Sequence, residues 1–195
     1  ASYNVLPDWI DPDGDDIYLA ELHEAECKVA EWVRAMATEK PAPISNLEGL
    51  IDACQTNAGI VYHPKQRDAI KMALTSGFSV ITGGPGVGKT EITKAIVSIY
   101  KAEHHTKPVY LCSPTGRAAK RLSEATGEPA STVHRLLGYI PEFGFTRNET
   151  DPLTPGLLIA DEASMIDIRL ARALFAACSA GMQVVLVGDV DQLPS

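Results

Sequence analysis

Eight residues, Gly83-Gly84-Pro85-Gly86-Val87-Gly88-Lys89-Thr90, constrain this chain more than any other stretch. They match the pattern G-x-x-x-x-G-K-[ST] at every fixed position. Such a loop belongs between a buried strand and a helix, and the flanks agree. Phe78-Ser79-Val80-Ile81 reads as the strand, and Glu91 to Lys101 as the helix, with Ile92, Ala95, Ile96 and Ile99 on one face. Glycines let successive N–H groups turn toward phosphate oxygens, and the helix N-terminus adds partial positive charge. On this reading Gly83, Gly84, Pro85, Gly86, Val87 and Gly88 cradle the phosphates of a nucleotide. Lys89 reaches the β- and γ-phosphates, and the Thr90 hydroxyl ligates Mg²⁺.

The elements after the loop repeat the strand–helix alternation. Val109-Tyr110-Leu111-Cys112 reads as a second strand, and Ser113-Pro114-Thr115-Gly116 opens a helix that Gly127 and Pro129 end. A short hydroxyl-capped helix is expected over Ser131 to Leu136, and a surface loop or hairpin over residues 139–155. Leu157-Leu158-Ile159-Ala160 is the third strand, Asp167 to about Ser179 a helix, and Gln183 to Val187 the fourth strand. Continuous apolar strands alternating with helices imply an α/β fold with a parallel sheet covered on both faces.

Upstream, residues 1 to about 16 read as an irregular lead-in, and Ile17 to about Ala37 as an amphipathic helix. Lys40-Pro41-Ala42-Pro43 breaks it. Ser45-Asn46-Leu47-Glu48 fits a capping box for a second helix that Gly59 stops. Pro64 suits the first turn of a helix reaching Thr75. The expected division is a helical N-terminal segment, 1–60, layered against a nucleotide-binding domain, 61–195.

Composition matters at two points. Net charge is −8, but residues 1–60 hold 12 acids and 3 bases, and residues 61–195 hold 13 acids and 14 bases. The acidity therefore belongs to the N-terminal segment and does not count against nucleic-acid binding by the remainder. The four cysteines are scattered, with no C-x-x-C pair, so reduced and mostly buried thiols are expected, as in a cytosolic compartment. No apolar run approaches bilayer-spanning length and no signal pattern opens the chain, so no membrane association is expected.

Polar clusters follow the C-terminal ends of the strands, the edge where open parallel sheets bind ligands. Asp161-Glu162 after the third strand has the form of a Walker B pair. Asp161 would hold the Mg²⁺ shell, and Glu162 would orient and deprotonate the attacking water. After the fourth strand, Gln192 in Gly188-Asp189-Val190-Asp191-Gln192 is either a γ-phosphate sensor or part of a polar turn.

Five segments together carry a family resemblance: Gly83 to Thr90, Ser113 to Leu122, Thr132 to Gly138, Asp161 to Met165, and Gly188 to Pro194. They resemble motifs I, Ia, Ib, II and III of superfamily 1 DNA helicases, closest to the RecD-like branch of exonuclease V alpha-subunit type. The resemblance implies a RecA-like P-loop domain acting as the ATP-binding first motor domain of a 5′-to-3′ helicase on single-stranded DNA, in recombination and repair. It also implies a bacterial, nucleoid-associated cytoplasmic setting and a nuclease–helicase complex as a further partner. By the same resemblance Gln66 contacts the adenine, Gln192 is the motif III sensor, and Pro114, Thr115, Arg117, Thr132 and His134 contact DNA. Four bases against two acids over residues 113–135 suit phosphate contacts. Lys120, Arg121 and Arg135 can equally form a solvated face, and His134 a core histidine bonded to backbone.

The family's second RecA-like domain, with motifs IV to VI and the arginine that completes the ATP site, has no counterpart before Ser195. The polypeptide by itself is therefore expected to bind nucleotide weakly, hydrolyse it slowly and not unwind DNA; missing charge at the transferring phosphate costs about 10³–10⁵ in rate in related NTPases. Two other classes stay open from residues alone. One is a P-loop kinase or transferase, which would need an acceptor pocket and lid. The other is a non-catalytic single-strand-binding or assembly module.

Overall fold

A computed structural model describes residues 10–13 and 16–189. Its centre is a five-stranded, wholly parallel sheet built from β3 (Phe78–Thr82), β4 (Val109–Ser113), β5 (Ala130–Thr132), β8 (Leu157–Ala160) and β9 (Gln183–Gly188). The strands lie in the order β3-β9-β8-β4-β5. Two antiparallel pairs flank it: β1 (Ile10–Asp13) with β2 (Asp16–Leu19), and β6 (Tyr139–Ile140) with β7 (Gly144–Phe145). The helices are α1 (Ala20–Thr38), α2 (Leu47–Ala58), α3 (Pro64–Thr75), α4 (Lys89–Glu103), α5 (Gly116–Thr126), α6 (Val133–Leu136) and α7 (Ile168–Ala176).

The α/β class and the parallel sheet agree with the sequence reading, and alternation along each strand explains the two layers. Leu157 and Ile159 of β8 face one apolar cluster with Ile70, Ile96, Tyr100 and Leu122, which α3, α4 and α5 supply. Leu158 and Ala160 face the other, with Val133, Leu174, Phe175 and Met182. All four β8 residues are fully buried. Each buried leucine or isoleucine side chain is worth about 1.5–3 kcal/mol relative to leaving it in water. The N-terminal helices share these same cores: α2 buries Ile51 in the first cluster and α1 buries Met36 in the second. Two ion pairs, Arg169–Glu21 and Arg172–Glu24, also tie α1 to α7.

Several local expectations are corrected. Residues 10–13 and 16–19 are strands, not an irregular lead-in, so the first helix begins at Ala20 instead of Ile17. Ser45 does not cap α2. Asn46 stands at the N-cap in left-handed conformation (φ 51°) with no side-chain cap bond. A Cβ at Gly49 would lie 2.4 Å from the Asn46 amide nitrogen, so glycine there makes room for that side chain. Helix α4 starts at Lys89, two residues before the expected Glu91. Strand β5 was missed, because three residues carry no apolar run; its pairing partner decides it, with Leu111 beside Ala130 and Ser113 beside Thr132. The thiols are also less buried than expected: Cys112 is buried, Cys54 and Cys178 are half-buried, and Cys27 is exposed. Burial pushes the Cys178 thiol up to about 12. Among the described residues no helix is long and apolar enough to cross a membrane.

Candidate nucleotide and nucleic-acid site

The phosphate loop turns where glycine is required. Gly86 and Gly88 have φ of 77° and 85°, backbone that L side chains rarely adopt. An added Cβ at Gly84 or Gly86 would meet nothing within 4 Å, which leaves open space over the loop for a ligand. Lys89, in the first turn of α4, donates to the carbonyls of Gly83 and, at 2.9 Å, of Gly84. Thr90 is exposed beside it.

Gln66 is held against this loop. It closes a capping box at the start of α3, where its Oε1 accepts from the His63 N–H at 2.8 Å. Its Nε2 donates to the Val87 carbonyl at 2.9 Å. Both ends of the amide are thus engaged with the protein. The family resemblance implies only an adenine contact for Gln66; the clasp on the loop depends on how α3 packs on α4.

Register brings the acids to the same edge. The Asp161 N–H donates to the Cys112 carbonyl at 2.9 Å, which fixes the turn after β8. Burial, the largest influence, raises the Asp161 carboxyl above the ordinary aspartate range; the Glu162 charge adds to this, while a backbone bond at Glu162 and the Lys89 charge oppose it. Glu162 itself is left-handed, φ 55° and ψ 40°. A non-glycine residue held there costs on the order of 1–3 kcal/mol, strain of the kind that collects at functional sites. Thr90 and Asp161 offer oxygen donors of the type Mg²⁺ takes, and no group of three or more His, Cys, Asp or Glu among the described residues could hold a metal.

Asp189 is the residue that sequence reasoning passed over. It falls within the segment Gly188 to Pro194 that resembles motif III, where only Gln192 is given a role, yet it is 4% exposed, with a carboxylate oxygen 3.8 Å from Lys89 Nζ. The glycine before it lets the strand end approach the turn after Glu162: a Cβ at Gly188 would lie 3.3 Å from the Ser164 nitrogen. Gln192 lies outside the described residues.

The expected DNA contacts gather over the adjoining strands. The Ser113–Thr132 pairing sets the two following helix starts side by side. Thr115 and Thr132 are N-caps, accepting from the N–H groups of Ala118 (3.3 Å) and Arg135 (3.2 Å). Each hydroxyl keeps its own proton to donate. Pro114 is half-buried next to Thr115. Arg117, Arg121 and Arg135 are exposed and form no ion pair within the described residues; Lys120 lies 3.8 Å from Glu124 on a solvated face. His134 is not a core histidine. It is exposed, its ring 5.4 Å from Tyr139 and 5.6 Å from Phe145, so the β6–β7 pair extends this surface with aromatic rings.

Comparison with known proteins came to the same region. The family model described as an AAA domain matches residues 66–195. The ATP-dependent RecD2 DNA helicase of Deinococcus radiodurans is 42% identical over 178 residues, covering 91% of this chain and 24% of that protein. The RecBCD enzyme subunit RecD of Mycolicibacterium smegmatis is 33% identical, covering 93% of this chain and 36% of that protein. The chain thus spans about a quarter to a third of the length of these relatives. The crystal structure of the Pif1 helicase from Candida albicans superposes with a TM-score of 0.49 at 26% identity, over 69% of this chain and 34% of that one. That degree of overlap assigns no residue its role.

Proposed function

We propose, for a chain that belongs to the AAA domain family as a RecD-like superfamily 1 helicase domain, that it is the ATP-binding first motor domain of a DNA helicase moving 5′ to 3′ on single strands. The observation that carries this reading is the strand order. The phosphate loop follows β3, Asp189 follows β9 and Asp161 follows β8, while the candidate DNA groups follow β4 and β5. The residues proposed for nucleotide chemistry and those proposed for strand contacts thus follow neighbouring strands along one sheet edge, which supports coupling of the two.

Lys89 and the loop amides bind and orient the β- and γ-phosphates, and Glu162 aligns and deprotonates water, with Gln192 as the γ-phosphate sensor. Thr90 and Asp161 would hold Mg²⁺, which would supply charge neutralisation at the phosphates. Gln66 reads the adenine by exchanging its bonds to His63 or Val87 for bonds to the base. Pro114, Thr115, Arg117, Thr132 and His134 hold the strand, mainly by its phosphates. The wider partners in this proposal are a second RecA-like domain and a nuclease–helicase complex. Kinase or transferase chemistry and a purely structural module are disfavoured, because the matched relatives are helicases across most of this chain.

The test is equilibrium binding of ATP with and without Mg²⁺ to the wild-type chain and to Lys89→Ala. Loss of binding in the variant is expected; unchanged affinity would remove the phosphate-loop assignment and the function built on it.

A further inference from the structure

Lys89 is claimed by three groups of its own protein. Two are carbonyls of the loop, at Gly83 and Gly84. The third is Asp189, which the Thr82–Gly188 pairing places beside the first residue of the loop. An ammonium has three N–H bonds and no acceptor. Two of those N–H bonds go to the carbonyls, while the Asp189 carboxylate at 3.8 Å attracts the ammonium by charge without a hydrogen bond, and an arriving phosphate competes with both. The Asp189 carboxylate is 4% exposed, so water screens poorly both its attraction for Lys89 and its repulsion of an arriving phosphate. Its position is also fixed, because Gly188 is packed against the Ala163–Ser164 backbone.

We propose that Asp189 is a positioning residue that holds the Lys89 ammonium against the loop carbonyls and so opposes its transfer to the nucleotide. The inference rests on the phosphate-loop reading above. Its consequence is a motor domain whose grip on polyphosphate is deliberately weakened by a buried charge, so that nucleotide leaves as well as arrives. The opposition is electrostatic, and it must grow with the charge of the phosphate chain. Removing it should strengthen ATP more than ADP.

The test is isothermal titration with ADP and with ATPγS, in Mg²⁺, on the wild-type chain, Asp189→Asn, Lys89→Ala and the double variant. Asp189→Ser serves as a second neutral variant and Asp189→Glu as the charge-conserving one, each checked by thermal melting. Asp189→Asn is expected to bind ATPγS about tenfold more tightly, equivalent to 1.4 kcal/mol, and ADP with a smaller gain. Asp189→Glu should restore the wild-type affinity, and the gain should shrink when Lys89 is alanine, because only the direct repulsion of phosphate is then removed. Neutral variants that bind ATPγS no better than wild type, while Lys89→Ala still loses binding, would overturn this proposal and leave the phosphate-loop reading standing. A gain of equal size for ADP and ATPγS, or one undiminished in the Lys89→Ala background, would also overturn it. Unchanged binding by Lys89→Ala would overturn both.

Discussion

Gly86 and Gly88 share a backbone requirement but differ in what surrounds them, and this separates strain from contact. Each has positive φ, 77° and 85°. Alanine in that conformation costs about 1–2 kcal/mol, or about 2–8 °C of melting temperature in a chain of this size. At Gly86 the added methyl group meets nothing within 4 Å, so backbone strain is the whole effect. At Gly88 it would stand 2.6 Å from Gln66 Nε2. Gln66 must then retreat, giving up its 2.9 Å bond to the Val87 carbonyl. That loss adds about 1 kcal/mol, or about 2–4 °C more. Thermal melting of Gly86→Ala and Gly88→Ala should therefore show the second variant less stable, and in a Gln66→Ala background the difference should close. Equal melting temperatures for the two single variants would refute the claim that Gln66 clasps the loop. So would a gap that persists without Gln66.

Thr115→Ala and Thr132→Ala should each destabilise the chain by about 1 kcal/mol through a lost N-cap, and both should weaken single-strand binding. The serine variants keep an acceptor and a donor, so melting and fluorescence-polarisation titrations should find them near wild type. Arg117→Ala should leave the melting temperature unchanged but flatten the salt dependence of single-strand binding; an unaltered slope would take Arg117 off the interface. Glu48 accepts from Lys71 and Arg67, and these bonds hold its carboxyl below the ordinary glutamate range. A depressed folded-state value means stability that is present above the ordinary range and is lost as pH falls through the lowered one. Glu48→Gln should remove that acid-range component from a stability-versus-pH curve, and a curve of unchanged shape would show that the Glu48 ion pairs with Arg67 and Lys71 contribute nothing measurable.

Most of the core fold was legible in local pattern. The phosphate loop needs its glycines, lysine and threonine in a fixed order, so its chemistry is written in consecutive residues. The four longer strands are apolar runs, and helix limits at Pro64, Asp167 and Gly127 follow from caps and stops that act within a few residues. Asp161 and Glu162 were recognisable because they end an apolar strand. Where the signal was short or depended on a partner, reading failed. Strand β5 has three residues and exists by pairing with β4, and the Asn46 cap is set by the space over Gly49.

The sequence by itself determined which chemical groups the chain owns and that they follow strand ends. Only the tertiary structure decided the strand order, and with it which of those groups meet. Asp189 and Lys89 stand 100 residues apart in the chain, and no local pattern marks them as a pair. They come within 3.8 Å because β9 inserts beside β3, and a buried charge acts through distance in space, which the order of residues does not encode.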